Sequence, residues 1–223
     1  MVVILHKKVE VEGKMREIES FLPDDALLTN DVIEQARNVD AKIKSFCDTT
    51  NKEYDRLPKE TQKNALMKWR WLGEQLDLFF KSEYLIQKAD ISRNIIWPAV
   101  GQYLRAELSG GIGTKRSGTP KDHYRKCYIL ATSQGTDWFN SWLAWDAFID
   151  RADQLVEKKE LLLALKKAFN GLILDVKDFQ LIAKLTVEAL PSATANPVVL
   201  ASISQDEIKK TSLIVKRKFE SIR

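Results

Sequence analysis

The segment from residue 110 to residue 126 combines glycine-rich backbone with positive charge. Four glycines fall between positions 110 and 118, and Lys115 and Arg116 lie among them. Flexible backbone before a helix start leaves N–H groups free to bind an anion, and the helix dipole favours negative charge there. Residues 115–126 carry five basic side chains against one acid, a local charge of +4. The pattern predicts a phosphate or nucleic-acid contact.

The residues predicted to make this contact are those whose backbone or side chains could face a phosphate: Gly111, Gly113, Lys115, Arg116, Ser117, Lys121, Arg125 and Lys126. The segment is not a nucleotide-binding P-loop, because a helix is predicted before it and Gly118 is followed by Thr119 and Pro120. A solvated connection between two helices, charged for solubility, is the alternative interpretation.

Histidine is scarce, since only His6 and His123 occur. Arg116 and His123, with six residues between them, resemble the Arg–His motif of HEPN-type ribonucleases, which are all-helical. The resemblance implies that Arg116 would stabilise phosphate charge while His123 moves a proton. The chain departs from the family at Ser117, where a stronger polar residue is usual. A histidine at a helix start without a catalytic role is the alternative, and we favour it.

Two further groups of residues could form sites. Asp146, Asp150 and Asp153 recur at helical spacing and could bind Mg²⁺, but no second carboxylate-rich helix matches them. We therefore expect a solvated face and no metal site or cofactor. Trp138, Trp142 and Trp145 are predicted to share one face of a helix over 136–155. They could stack bases or anchor a partner, yet their spacing beside leucines favours a core role.

The last helix is predicted over residues 205–223. Ser204 and Glu207 form a capping-box pattern. One face is mostly apolar, with Ile208, Ser212, Val215, Phe219 and Ile222. The basic remainder predicts phosphate contacts by Lys216, Arg217 and Lys218. Alternatively the helix docks on the rest of the protein with its lysines in water, or lies on an anionic membrane surface or in a partner's groove.

The elements that must position these residues are mainly helices. Helical periodicity predicts helices over 30–57, 58–89, 92–108, 158–169 and 176–190, besides those that begin near Pro120 and Thr136. Residues 1–13 are strand-like, as a single strand or a hairpin, and a short helix is predicted over 14–21. The fold class is therefore all-α: about seven helices, a short N-terminal strand or hairpin and a C-terminal basic amphipathic helix. The predicted division is a helical domain over 1–190, a linker over 191–204 and the basic helix over 205–223.

Composition limits the function classes. No apolar run approaches the roughly 20 residues of a membrane span. Cys47 and Cys127 form no disulfide or zinc pattern, so we expect buried thiols and a cytoplasmic protein. The favoured function is that of a non-catalytic, nucleic-acid-binding subunit of a larger assembly. The alternatives are a HEPN-like ribonuclease and a protein–protein scaffold without nucleic acid, and a protein partner or a homo-oligomer fits each of them.

Overall fold

The protein is predominantly helical, which confirms the all-α class. A computed structural model describes residues 5–11, 14–20, 30–82, 97, 100–108, 120–156, 159–190 and 203–223. Eight α-helices lie in these ranges: α1 Asn30–Arg56, α2 Lys59–Lys63, α3 Ala65–Ser82, α4 Pro120–Thr132, α5 Trp142–Val156, α6 Lys159–Ala168, α7 Val176–Ala189 and α8 Gln205–Ile222. A single 3₁₀ turn, Thr136–Trp138, precedes α5.

Two short strands precede the helices. β1 spans Leu5–Val11 and β2 spans Lys14–Ser20. They pair antiparallel, with Leu5 opposite Ser20 and Val11 opposite Lys14. The helix predicted over residues 14–21 is therefore wrong. Residues 14–20 are extended and pair with β1 in a two-stranded ladder, in which successive side chains point to opposite faces.

The described chain forms two compact units. The first comprises Met1–Gln62 and Glu74–Arg125, and the second comprises Lys63–Gly73 and Lys126–Arg223. The division into 1–190, 191–204 and 205–223 stays a prediction, and most of its linker lies outside the described residues.

In the first unit, α1 presents a buried stripe at helical spacing. Its members are Val39, Ile43, Cys47, Thr50 and Tyr54. This stripe continues the predicted apolar face of the helix, because residues three and four apart lie on one side. The aromatic side chains of the same unit also pack, with the Phe46 and Phe79 rings stacked at 4.5 Å.

The long second helix of the sequence prediction is divided at Asn64. The Asn64 side-chain oxygen accepts a hydrogen bond from the backbone N–H of Met67 at 3.1 Å, as an N-terminal cap does. Thus α2 ends at Lys63 and α3 begins at Ala65. Asparagine within a helical pattern competes for backbone hydrogen bonds, which explains the break.

The helix predicted to start near Ser92 is described only in part. The structure describes Trp97 and the chain from residue 100, and residues 100–103 are helical. Trp97, Val100 and Leu104 are buried, as apolar residues of a core-facing helix are. The predicted beginning of this helix lies outside the described residues.

In the second unit, an aromatic cluster fills the core around α5. The Phe139 ring lies 5.1 Å from that of Trp145 and 4.9 Å from that of Phe179. Trp145 is fully buried, whereas Trp138 and Trp142 are partly exposed. Trp138 lies in the 3₁₀ turn and not on the same helix as Trp142, so the single helix predicted from residue 136 is wrong. The core role predicted for the tryptophans is confirmed for Trp145.

Gly73 marks a close approach within this unit. A Cβ at this position would overlap the carbonyl oxygen of Cys127 and would lie 2.8 Å from the Cβ of Ala131. Only glycine lets α3 and α4 come this close. Gly135, which precedes the 3₁₀ turn, is favoured for its backbone conformation. Its φ of 81° lies in the left-handed region, which glycine adopts without steric cost.

Helix α8 packs on α6 and α7 of the same unit. The Phe219 ring meets that of Phe169 edge to face at 5.2 Å. Ser204 and Glu207 form the predicted capping box, which is therefore confirmed. No helix in the described ranges is long and apolar enough to cross a membrane.

Candidate nucleic-acid interface

Helix α8 has two faces of different character. The buried face is formed by Ile208, Thr211, Ser212, Val215 and Phe219. The opposite side, here called the outer face, is formed by Lys210, Leu213, Ile214, Arg217 and Lys218, all of them exposed. Their spacing of three, four, seven and eight residues from Lys210 places them along one side of the helix. The packing against α6 and α7 therefore leaves a basic and apolar stripe in solvent.

The cations of the outer face form no ion pairs with neighbouring acids of the described residues. Lys210, Arg217 and Lys218 form no ion pair with any acidic side chain of the described residues. By contrast, Lys216 lies 3.8 Å from the Glu220 carboxylate, one turn along. The sequence predicts three contact residues in this helix. Two of them, Arg217 and Lys218, form no ion pair among the described residues. The structure adds Lys210, which the sequence prediction did not include among the contacts.

The acids of α8 form their ion pairs and hydrogen bonds with other residues at the ends of the helix. Asp206 pairs with Lys209 at 3.9 Å, and Glu220 pairs with Lys216. Glu207 accepts hydrogen bonds from both the backbone N–H and the hydroxyl of Ser204, each at 2.8 Å. These bonds and, to a smaller extent, the nearby charge of Lys210 hold the pKa of the Glu207 carboxyl below its usual range. Asp206 and Glu207 lie four and three residues before Lys210 on the same side of the helix and offset part of its charge, so the positive charge of the outer face lies mainly at Arg217 and Lys218.

Lys126 differs from the other predicted contacts, because its ammonium pairs with acids of the second unit. Its ammonium donates to Asp146 at 2.7 Å and also to Asp150, and its side chain is only 16% exposed. Burial lowers the pKa of Lys126, but the hydrogen bonds to Asp146 and Asp150 outweigh this effect and raise it. Its ammonium is already held by two carboxylates, so we leave Lys126 out of the proposed interface.

The same geometry gives the aspartate row a structural role. Asp146 and Asp150 are expected from the sequence to form a solvated face, and Asp150 is exposed. Both also hold Lys126, whose carbonyl oxygen accepts a hydrogen bond from the Trp145 ring nitrogen at 3.2 Å. The side chain of Asp153 lies outside the described residues. In the described ranges, no group of three His, Cys, Asp or Glu side chains could hold a metal ion.

Most of the glycine-rich segment lies outside the described residues. This applies to Gly111, Gly113, Lys115, Arg116 and Ser117, and to the side chain of Lys121. Arg125 is described and is half-buried. His123 is half-buried too, with its ring 5.6 Å from that of Tyr124. The geometry of the Arg116–His123 pair is therefore not part of the described structure, and its catalytic role stays a hypothesis.

The first unit contains a groove of about 420 Å³ between α1 and α3. Its lining is formed mainly by hydroxyl, amide and apolar side chains: Lys42, Ser45, Phe46, Thr49, Thr50, Gln75, Leu78, Phe79 and Ser82. Lys42 is the one cation in this lining, so the groove offers far less positive charge than the outer face of α8.

The two thiols are unsuited to chemistry. Cys47 and Cys127 are free and buried. Burial raises the pKa of Cys47 to about 12, and it also raises that of Cys127. Because the thiolate is the reactive form of cysteine, neither side chain is a nucleophile near neutral pH. The expectation of buried thiols is confirmed.

Comparison with protein families, with curated proteins and with solved structures gave no match.

Proposed function

We propose that this protein binds nucleic acid through the outer face of α8, as a non-catalytic subunit of a larger assembly. The observation that carries the proposal is the set of three exposed cations, Lys210, Arg217 and Lys218, which form no ion pair with an acid of the described residues. Lysine and arginine on one helix face bind phosphates and release counterions, which makes such binding strongly dependent on salt.

The contrast with two other cations of the second unit supports this choice. Lys126 and Lys166 are held by aspartates, the latter by Asp137 at 2.5 Å. Charges that are paired in this way contribute little to the attraction of a polyanion. The cations of the outer face remain available, and they lie on a helix that is anchored by Phe219 and Val215.

The glycine-rich segment stays in the proposal as a second cationic cluster. Its members are Lys115, Arg116, Lys121 and Arg125, with the backbone of Gly111 and Gly113 and the hydroxyl of Ser117 as further donors. This part of the proposal depends on the sequence alone. It predicts an additional loss of affinity when Lys115 and Arg116 are replaced by alanine.

The experiment is a fluorescence-anisotropy titration with labelled DNA and RNA at low and near-physiological salt. The test variant is Lys210→Ala/Arg217→Ala/Lys218→Ala. The control is Lys44→Ala/Lys52→Ala/Lys59→Ala, which removes the same charge from exposed positions of the first unit. We expect the test variant to lose at least tenfold in affinity and the control to lose less than threefold. Equal losses in both variants would contradict the proposal.

The same samples separate the alternatives. Cleavage of RNA that is lost in His123→Ala would favour a ribonuclease over a non-catalytic binder. An absence of binding at both salt concentrations would leave the protein–protein scaffold.

A further inference from the structure

The outer face of α8 is aliphatic as well as basic. Leu213 and Ile214 are 53% and 46% exposed, and they lie between Lys210 and Arg217 along the helix. Burial of these side chains against a partner would be favourable, because apolar surface gains free energy when it leaves water. Contacts with phosphates alone would leave these two aliphatic side chains in water. The nucleic acid that binds here must therefore offer apolar groups between two rows of phosphates.

Single strands do not fit this face. Proteins that bind single strands stack the bases on exposed aromatic rings. In the described ranges, no large apolar side chain that is well exposed is aromatic, and the one aromatic residue of α8, Phe219, is buried against Phe169. The face thus lacks the platform that unpaired bases require, and a duplex is the better partner.

The dimensions of α8 distinguish between the two kinds of duplex. An α-helix with its side chains is about 10–12 Å across, and the major groove of B-DNA, about 12 Å wide, admits it. The major groove of duplex RNA is deep and narrow and does not. Lys210 and Arg217 are seven residues apart, a rise of about 10.5 Å. This separation lets the two cations contact phosphates while the residues between them face the groove floor.

We infer that the outer face of α8 binds duplex DNA in the major groove, with Leu213 and Ile214 against thymine methyl groups. The inference rests on the proposed nucleic-acid function and names its substrate class. Thymine methyls are the apolar groups that the major groove displays, and aliphatic side chains contact them. Lys210, Arg217 and Lys218 hold the flanking phosphates. Contacts of Leu213 and Ile214 favour A·T pairs, because thymine is the base that carries a methyl group in the major groove.

The test compares labelled probes of about two helical turns: duplex DNA, duplex RNA of the same sequence, and the single DNA strand. A fourth probe is the duplex in which uracil replaces thymine, which removes only the methyl groups. We expect duplex DNA to bind at least tenfold more tightly than the RNA duplex and the single strand. We expect the uracil duplex to bind roughly fourfold more weakly for each methyl group that Leu213 or Ile214 covers in the thymine duplex.

The variant Leu213→Ala/Ile214→Ala completes the experiment. It keeps all three cations, and both positions are exposed, so the fold is preserved and circular dichroism checks this. The variant should bind the thymine and the uracil duplex equally. Equal affinity of the wild type for these two duplexes would overturn the groove placement. Single-strand or RNA binding as tight as duplex DNA binding would overturn the substrate class while the proposed function survives.

Failure of the proposed function gives a different result. If no probe binds, both the function and the inference are wrong. A rise in molecular mass with concentration, measured without DNA and abolished in Leu213→Ala/Ile214→Ala, would assign the face to a second copy of the chain and would overturn the inference.

Discussion

The ammonium of Lys126 lies 2.7 Å from Oδ1 of Asp146, with Asp150 as its second partner. This relationship joins α4 to α5 within the second unit, and it removes a lysine from the set that the sequence predicted to bind phosphate. Charge along the chain and charge available to a ligand are therefore different quantities. On the outer face of α8, by contrast, Lys210, Arg217 and Lys218 form no ion pair among the described residues.

Replacement of Lys126 by methionine should destabilise the protein. The variant keeps the apolar stem but leaves Asp146 and Asp150 without their partner in a partly buried place. We expect a loss of about 1–3 kcal/mol in the free energy of unfolding, towards the lower end because Asp150 is more than half exposed and stays hydrated. Urea denaturation measures this loss.

The matched control is Lys167→Met, an exposed lysine of α6 that forms no ion pair among the described residues. Its free energy of unfolding should stay within about 0.5 kcal/mol of the wild type. Both variants should keep wild-type affinity for DNA. A loss of affinity in Lys126→Met at unchanged stability would return Lys126 to the interface.

Replacement of Gly73 by alanine should destabilise the second unit. The new Cβ would overlap the backbone oxygen of Cys127, which cannot move aside as a flexible side chain can. Overpacking of this kind costs about 1–3 kcal/mol, whereas alanine at an ordinary helical position stabilises relative to glycine. Thermal unfolding of Gly73→Ala and of the neighbouring control Glu74→Ala distinguishes overpacking at Gly73 from the stabilisation that alanine gives at an ordinary helical position. A higher melting temperature for Gly73→Ala would show that the two helices are farther apart than described.

Replacement of Phe219 by alanine tests the docking of α8. Phe219 is 1% exposed and meets Phe169 edge to face. Its truncation should cost about 3–5 kcal/mol, because it removes a large buried side chain and leaves a cavity. Ile222, 60% exposed at the end of the same helix, is the control, and Ile222→Ala should change stability by about 0.5 kcal/mol or less. Equal effects would mean that α8 is not anchored by this face.

The capping box of α8 should make stability sensitive to acid. Hydrogen bonds from Ser204 lower the pKa of Glu207 in the folded protein. The stabilisation is therefore present above the unfolded pKa of about 4.3 and is lost as the pH falls through the folded value. Glutamine keeps an acceptor in this motif but does not titrate. The melting temperature of Glu207→Gln should thus fall less than that of the wild type between about pH 5 and pH 3, and identical slopes would contradict the role of Glu207.

Local patterns predicted much of the fold. The helices near residues 30–56, 159–168 and 176–189 follow from apolar periodicity, and the Ser204–Glu207 cap follows from two residues three apart. Apolar periodicity gave the wrong result at Asn64 and at residues 136–141. There the helical spacing of apolar residues continues, but the backbone is not α-helical. At Asn64 a side chain competes with the backbone. At Thr136 the hydroxyl donates to the Leu130 carbonyl at 2.8 Å, a contact that the fold creates.

The candidate site was only partly predictable for a related reason. A sequence shows which residues are basic but not which acids they contact. Lys126 and Arg217 are therefore equivalent in the sequence, although in the structure Asp146 and Asp150 lie beside Lys126. Lys210 could have been found from its spacing of seven and eight residues to Arg217 and Lys218. Helix α7 offers a parallel case: Asp175 and Asp178 form a capping box that the Ser/Thr–Glu pattern does not reveal.

The most direct test of the account is the salt dependence of binding to labelled duplex DNA. Each phosphate contact contributes a slope of about −0.9 to a plot of log affinity against log salt. The variant Lys210→Ala/Arg217→Ala/Lys218→Ala should therefore have a slope shallower by about 2 to 3 than that of the wild type, while Lys44→Ala/Lys52→Ala/Lys59→Ala keeps the wild-type slope. An unchanged slope in the α8 variant would show that the outer face of α8 does not contact phosphates, and the central claim would be wrong.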